Sequence, residues 1–164
     1  MTFGAAIKHG FKNLTNFHGR ARRSEFWWFY LFMFLVSFVL SFVALIPMFA
    51  SLSTLGPEDV DDNGTIADAK LSELMQGLGQ TIVIAMILGA ITYLLLLAIW
   101  VRRPHDAGYS GHWLWLSLIG LSIVPLIFAI FDGQRFTNQY GPDPKALEAA
   151  NWPAAPAGYT APLN

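Results

Sequence analysis

The distribution of charged residues constrains this chain more than any other feature of its sequence. Three long stretches contain no Asp, Glu, Lys or Arg: residues 26–57, 74–101 and 107–131. Each is longer than the roughly 20 apolar residues that a helix needs to cross a hydrocarbon layer about 30 Å thick. The sequence therefore predicts an all-α membrane protein with three transmembrane helices. We place these spans at residues 26–50, 81–101 and 112–131.

Composition supports a membrane location and excludes several function classes. Charged residues make up 13% of the 164 residues, against about 25% in an ordinary soluble domain. The net charge of −1 gives no basic excess, which argues against a nucleic-acid-binding protein. The absence of cysteine excludes disulfides and cysteine-ligated metals. A buried core helix and a cleaved signal peptide are competing interpretations of the first stretch, but its length favours a retained span.

The third span is the least certain of the three in length and composition. It contains Gly120 and Pro125, and a proline removes a backbone donor and kinks a helix. A re-entrant hairpin, which would return the following residues to the side they came from, is the alternative. We favour a full span because irregular backbone exposed to lipid is costly.

Basic residues near the ends of the spans predict the orientation. Seven of the ten Lys and Arg residues precede span one or lie between spans two and three: Lys8, Lys12, Arg20, Arg22, Arg23, Arg102 and Arg103. We therefore expect a cytoplasmic N-terminus, an acidic outer loop at residues 51–80 and, with three spans, a C-terminus outside. Residues 1–145 form a single membrane domain, and residues 146–164 are expected to be a disordered tail.

Two periodic patterns predict how the helices are arranged. Phe3, Ile7, Phe11 and Leu14 recur at helical spacing, which indicates an amphipathic N-terminal helix lying in the membrane interface. Small residues four apart in two spans predict close packing between those spans. These helix-packing residues are Ser37 opposite Gly89 and Ser41 opposite Ala85, because the members of each pair lie at similar depths from the inner ends of their spans.

Polar residues form two clusters at the predicted cytoplasmic ends of spans one and two, and these clusters lie close in space if the two spans pack together. The candidate headgroup- or ligand-binding residues are Arg20, Arg22, Arg23, Arg102 and Arg103, with Glu25 and Asp106 as ion-pair partners. One interpretation is orientation and attraction to anionic lipid. A second is a phosphate-binding site, because the planar guanidinium binds phosphate with two hydrogen bonds. A third is catalysis by His105 with Asp106. The histidine spacings indicate no metal site.

The same residues resemble a known family. Gly19–Trp27, Arg103–Asp106, Ser110–Trp113 and Asn138–Pro144 are similar to motifs of the bacterial inner-membrane family called domain of unknown function 805, with Gln139 where the family has arginine. The resemblance covers residues 8–145. It implies a bacterial integral membrane protein and assigns no activity, cofactor or catalytic residue.

These observations favour a non-enzymatic binding or scaffolding protein of the inner membrane. Its arginine-rich cytoplasmic rim would contact anionic lipid or a protein partner, without a cofactor and without nucleic acid. A homo-oligomer is compatible with this interpretation. The alternatives are a transporter or channel subunit with a pore lined by Ser37, Ser41 and Thr92, and a headgroup-modifying enzyme that uses His105.

Overall fold

The computed structural model describes residues 1–146, and the long regular elements in that range are helices. They are α1 (Phe3–Lys12), α2 (Arg23–Ala44), α3 (Ile46–Ser53), α4 (Asp68–Asp106) and α5 (Ile123–Ile130). Short 3-10 helices occur at Pro57–Asp59 and Gly111–Ile119. Beyond Ala146, the predicted disordered tail lies outside the described residues.

Within residues 1–146, two stretches of helix are long enough to cross a membrane. Helices α2 and α3 form a nearly continuous rod of 31 residues, and α4 has 39 residues. Only 17% of the most apolar part of each stretch is buried within the protein, whereas a core helix of a soluble protein buries its apolar surface. The regular elements of residues 1–146 are therefore helical, and the first two predicted spans are present as helices compatible with a membrane.

The connection between these two stretches is shorter than the predicted loop at residues 51–80. Helix α3 continues to Ser53 and α4 begins at Asp68, so residues 54–67 form the connection. Pro47 does not interrupt the rod, because it lies in the first turn of α3, where a missing backbone N–H costs little. With a rise of 1.5 Å per residue, α4 is about 58 Å long, which exceeds the hydrocarbon thickness.

Helices α2 and α4 run antiparallel, but their predicted small-residue contact is wrong at Gly89. A Cβ atom at Gly89 would meet nothing within 4 Å. The Ser37 hydroxyl instead lies 3.2 Å from that of Thr92, three residues further along α4. The close approach occurs at Gly77, where a Cβ would lie 2.0 Å from the Ser51 hydroxyl of α3. The small residue that permits tight packing is therefore Gly77.

The predicted third span at residues 112–131 is not a continuous helix. A 3-10 helix ends at Gly120, whose φ of +85° is left-handed and suits glycine because it has no Cβ atom. Helix α5 then has only eight residues, or about 12 Å, too short to cross hydrocarbon about 30 Å thick. The carbonyl oxygens of Ala129 and Phe131 accept hydrogen bonds from Arg103. The segment therefore turns back to the end of α4 from which it started.

Helix α1 is present as predicted, but it packs through different residues. Ala6 and Gly10 are buried, and a Cβ at Gly10 would lie 2.4 Å from the Phe29 ring of α2. Phe3 and Phe11 remain 40% and 43% exposed, although each contacts an aromatic ring of α2 at its edge. Small residues thus let α1 lie against α2, and its interfacial location stays a prediction.

Candidate functional site

The predicted polar residues meet in a buried arginine–carboxylate cluster, formed by Arg20, Glu25, Arg102, Arg103 and Asp106. Arg20 precedes α2, Glu25 lies in its first turn, and the other three lie in the last turns of α4. The antiparallel arrangement brings these helix ends together, and the Ala21 amide donates to the Arg102 carbonyl at 3.0 Å. The sequence-based prediction that the two motifs lie close in space is supported by this geometry.

Asp106 joins two of the arginines. Its Oδ1 accepts a hydrogen bond from Arg20 Nε at 2.9 Å, and its Oδ2 accepts one from Arg103 Nη1 at 2.8 Å. The Arg20 and Arg103 side chains are 1% and 0% exposed. Two guanidinium groups buried on one carboxylate are stable only when their remaining N–H groups also find acceptors.

Those acceptors include backbone carbonyl groups of the returning segment, which we define as residues 131–146. Arg20 Nη1 donates to the Phe136 oxygen at 2.7 Å, and its Nη2 donates to the Gln134 oxygen. Arg103 Nη2 donates to the Phe131 oxygen. A Cβ at Gly133 would lie 2.0 Å from Asp106 Oδ2, so glycine permits this close approach. The arginines thereby hold residues 131–136 against α4.

Glu25 forms the second half of the cluster. Its Oε1 lies 3.1 Å from Arg102 Nη1 and 2.9 Å from His9 Nδ1 of α1. The Arg102 and Glu25 side chains are each 3% exposed. Within residues 1–146, Nε and Nη2 of Arg102 have no hydrogen-bond partner. Glu25 therefore links α1, α2 and α4, and His9 is a member of the site that sequence reasoning missed.

His105 and Asp106 do not form the acid–base pair that one interpretation of the sequence required. The His105 ring stacks on Tyr140, with centroids 3.8 Å apart and planes 2° apart. Its Nδ1 lies 3.2 Å from the Gly19 carbonyl oxygen, while both carboxylate oxygens of Asp106 contact arginines. The residue is also 8% exposed. This arrangement suits a packing role better than proton transfer.

The five predicted binding arginines therefore separate into two groups. Arg20, Arg102 and Arg103 are buried, whereas Arg22 and Arg23 are partly exposed. Arg23 Nη1 lies 2.9 Å from Asp132 Oδ1, and this hydrogen bond is the main cause of the lowered pKa of Asp132. All five were predicted to bind headgroups or a ligand, but the guanidinium groups of the buried three are used inside the protein.

The returning segment contributes residues for which the sequence offered one signal, the motif Asn138–Pro144, which we call the closing motif. Asn138 Nδ2 donates to the His105 carbonyl at 2.9 Å and to Gln134 Oε1 at 2.9 Å. A small cavity of about 440 Å³ lies between α1, the start of α2 and the returning segment. Its lining includes His9, Arg20, Arg22, Glu25, Tyr140 and Gly141. Among residues 1–146, no group of three metal-ligating side chains is present.

The four predicted helix-packing residues lie on a separate, larger cavity of about 690 Å³. It is bounded by α2, α4 and residues between Leu114 and Pro125. Ser37, Ser41, Ala85 and Gly89 all belong to its walls. The small side chains therefore leave space between α2 and α4 along much of this length.

The fold and cluster define a small helical membrane protein whose N-terminal and closing motifs meet at one end. The chain belongs to the family described as protein of unknown function (DUF805), whose model matches residues 14–142. It is 31% identical over 136 residues to the inner membrane protein YhaI of Escherichia coli (strain K12), covering 82% of this chain and 90% of YhaI. It is 32% identical over 137 residues to the inner membrane protein YhaH of the same strain, covering 82% of this chain and 91% of YhaH.

No solved structure matches the chain. The family membership confirms the resemblance that the motifs indicated. Both relatives are inner membrane proteins, which supports an inner-membrane location for this chain. The family description assigns no activity, so function has to be inferred from the geometry.

Proposed function

We propose that this chain is a non-enzymatic binding protein of the inner membrane that contacts anionic lipid through a basic surface. The main observation in support is that the basic residues at this end of the protein divide into buried and accessible ones. Three arginines are buried, and the accessible members at the same end of the bundle define the basic surface. They are Lys8, Lys12, Arg22, Arg23, Arg135 and Lys145.

Charge supports this proposal. The neighbouring accessible acids of the returning segment are Asp132 and Asp143, so the basic surface keeps a net positive charge. Lys and Arg near an anionic membrane surface contribute about 1 kcal/mol each. Six such residues beside two acids suit an anionic lipid surface better than a neutral one.

Aromatic residues at the same end give independent support. Trp27, Trp28, Trp113 and Trp115 are all at least 36% exposed. Tryptophan is enriched at the boundary between hydrocarbon and headgroups, because its ring is apolar and its N–H is polar. The basic surface and these rings together have the composition of a membrane interface.

We infer that two helices span the membrane and that residues 107–131 form a re-entrant segment. Residues 131–146 then share a side with the N-terminus. Nine of the ten Lys and Arg residues fall on that side, and only Lys70 falls on the other. The positive-inside tendency assigns the nine to the cytoplasm. This count is more asymmetric than the seven of ten that three spans give.

Lipid selectivity tests the proposed function directly. The full chain is reconstituted into vesicles of phosphatidylcholine and phosphatidylglycerol, and lipids retained after mild detergent extraction are counted by native mass spectrometry. We expect enrichment of phosphatidylglycerol, reduced by up to about fivefold for each basic residue removed. The variant is Lys8→Gln with Lys12→Gln and Arg135→Gln.

Glu58→Gln is the matched control, because Glu58 is exposed in the connection at the other end of α4. It changes one charge and should leave selectivity unchanged. Equal retention of both lipids by the unmodified chain would contradict the proposal. Retention of a co-purifying protein instead of phosphatidylglycerol would favour a scaffolding role.

A further inference from the structure

The larger cavity has the properties of a ligand site within the apolar part of the protein. Its volume of about 690 Å³ lies within the range of about 300–1,000 Å³ common for small-molecule sites. None of the described residues that line it is charged. Its walls combine aliphatic and aromatic side chains with several hydroxyl groups. An uncharged, elongated occupant fits this chemistry.

One hydroxyl group in the cavity wall is unsatisfied. Thr81 is 8% exposed, and its Oγ1 is buried without a hydrogen-bond partner in the described part of the chain. Other wall hydroxyls are paired: Ser37 with Thr92 at 3.2 Å, and Ser117 with the Leu114 carbonyl at 2.6 Å. Because an unpaired buried hydroxyl is costly, Thr81 indicates where an occupant would place a polar atom.

The position of Thr81 along α4 restricts the kind of molecule that could supply this polar atom. Thr81 precedes Arg102 by 21 residues, which corresponds to about 31 Å at 1.5 Å per residue. That distance equals the hydrocarbon thickness of about 30 Å. If the arginine–carboxylate cluster lies at one membrane boundary, Thr81 lies at the other. The polar groups of a bilayer nearest to that level are the ester carbonyls of phospholipids.

We propose that the cavity binds one acyl chain of a phospholipid from the leaflet opposite the arginine–carboxylate cluster. Thr81 lines the cavity, but its Oγ1 is buried, so rotation about χ1 would turn this hydroxyl into the cavity, where it donates to the ester carbonyl. The chain then lies along α4 towards Trp100, which also lines the cavity. The small side chains at Ala85 and Gly89 provide the space. This site is separate from the basic surface, so it goes beyond the proposed contact with anionic headgroups.

Photochemical labelling tests this proposal with a probe of known composition. The full chain is reconstituted in vesicles of zwitterionic phosphatidylcholine carrying a diazirine in one acyl chain. Labelled residues are then mapped by mass spectrometry. We expect labelling concentrated on cavity-facing positions of α4, such as Ala85 and Gly89, compared with the neighbouring exposed Ala90. A zwitterionic lipid makes the result independent of the basic surface.

Two substitutions make the expected result specific. Gly89→Phe fills the cavity without meeting protein atoms at its Cβ, and should abolish labelling of the cavity wall. Ala90→Phe adds the same ring at the same depth on an exposed face that does not line the cavity, and should leave cavity labelling unchanged. Thr81→Val keeps the side-chain shape and removes the hydroxyl. It should weaken retention of the lipid by about twofold to tenfold.

Three results would overturn the proposal. The first is equal labelling of the cavity wall and of Ala90, which would mean ordinary contact with bulk lipid. The second is unchanged labelling in a monodisperse Gly89→Phe variant. The third is cross-linking of cavity-wall residues to a second copy of the chain, which would identify the cavity as an oligomer interface. Thr81→Val serves as the folded comparison if Gly89→Phe does not yield stable protein.

Discussion

The arginine–carboxylate cluster and the larger cavity are two contrasting parts of the same pair of helices. At the cluster, the charged groups are buried. The guanidinium N–H groups of Arg20 and Arg103 donate hydrogen bonds to Asp106 and to the returning segment. At the cavity, α2 and α4 are separated around Gly89. The contrast suggests that the cluster determines how the chain folds back, whereas the cavity is available for binding.

Loss of the central carboxylate should have the largest effect. Asp106→Asn leaves Arg20 and Arg103 buried without a counter-charge, and breaking a buried ion pair in this way costs about 3–5 kcal/mol. We expect a large fall in the melting temperature of the detergent-solubilised protein. Asp132→Asn removes the exposed ion-pair partner of Arg23, and the Arg23 side chain is itself 43% exposed. This variant should lower the melting temperature far less. Similar melting temperatures for both variants would contradict the contrast.

Close packing of α3 against α4 gives the next largest effect. In Gly77→Ala the new Cβ lies 2.0 Å from the Ser51 hydroxyl and 3.0 Å from the Pro47 carbonyl. Overpacking of this kind costs about 1–3 kcal/mol. Gly89→Ala should be neutral or stabilising by up to about 1 kcal/mol, because its Cβ meets nothing and alanine favours helix. The melting temperatures of the two variants test this difference. A larger fall in melting temperature for Gly89→Ala than for Gly77→Ala would contradict an open cavity beside Gly89.

Stacking between His105 and Tyr140 should contribute a smaller amount. Removal of the ring in Tyr140→Ala loses an aromatic pair worth about 0.5–1.5 kcal/mol beyond its buried area. Limited proteolysis should then cleave residues 131–146 faster than in the unmodified protein. Tyr140→Phe keeps the ring and should retain the original cleavage rate. Equal protection in the Tyr140→Ala variant would mean that the arginines alone hold the segment.

The smallest effect should come from pH at the Arg23–Asp132 pair. The hydrogen bond from Arg23 lowers the pKa of Asp132, so the pair stabilises the folded state above the ordinary aspartate pKa of about 3.9. This contribution is lost as the pH falls through the lowered folded-state pKa. Asp132→Asn should slightly reduce the change in melting temperature between neutral and acidic pH. An increased pH dependence in that variant would contradict the assignment.

The sequence predicted the helices more successfully than the contacts between them. Charge-free stretches were sufficient for α2 and α4, because the length of an apolar helix follows from membrane thickness. The third stretch is also free of charges, but Gly120 and the carbonyl acceptors for Arg103 turn the chain back. Those contacts join residues that are far apart in the sequence, so the local periodicity of the sequence cannot predict them.

Long-range contacts also limited how much of the candidate site could be predicted from the sequence. Motif order and antiparallel spans were enough to predict that Glu25, Arg102 and Asp106 lie near one another. Their burial depends on His9 and on residues 131–141, which become neighbours only after the chain turns back. The predicted register was also three residues away from the observed Ser37–Thr92 contact, because equal depth of the two span ends was assumed.

The most direct test concerns the side of the membrane on which residues 131–146 lie. The chain has no cysteine, so single substitutions Thr15→Cys, Asn63→Cys and Thr137→Cys can be probed in intact spheroplasts with a membrane-impermeant maleimide. We expect labelling of Asn63→Cys alone, with the other two variants labelled only after the membrane is opened. Labelling of Thr137→Cys from outside, together with protection of Thr15→Cys, would contradict the return of the chain to the arginine–carboxylate cluster.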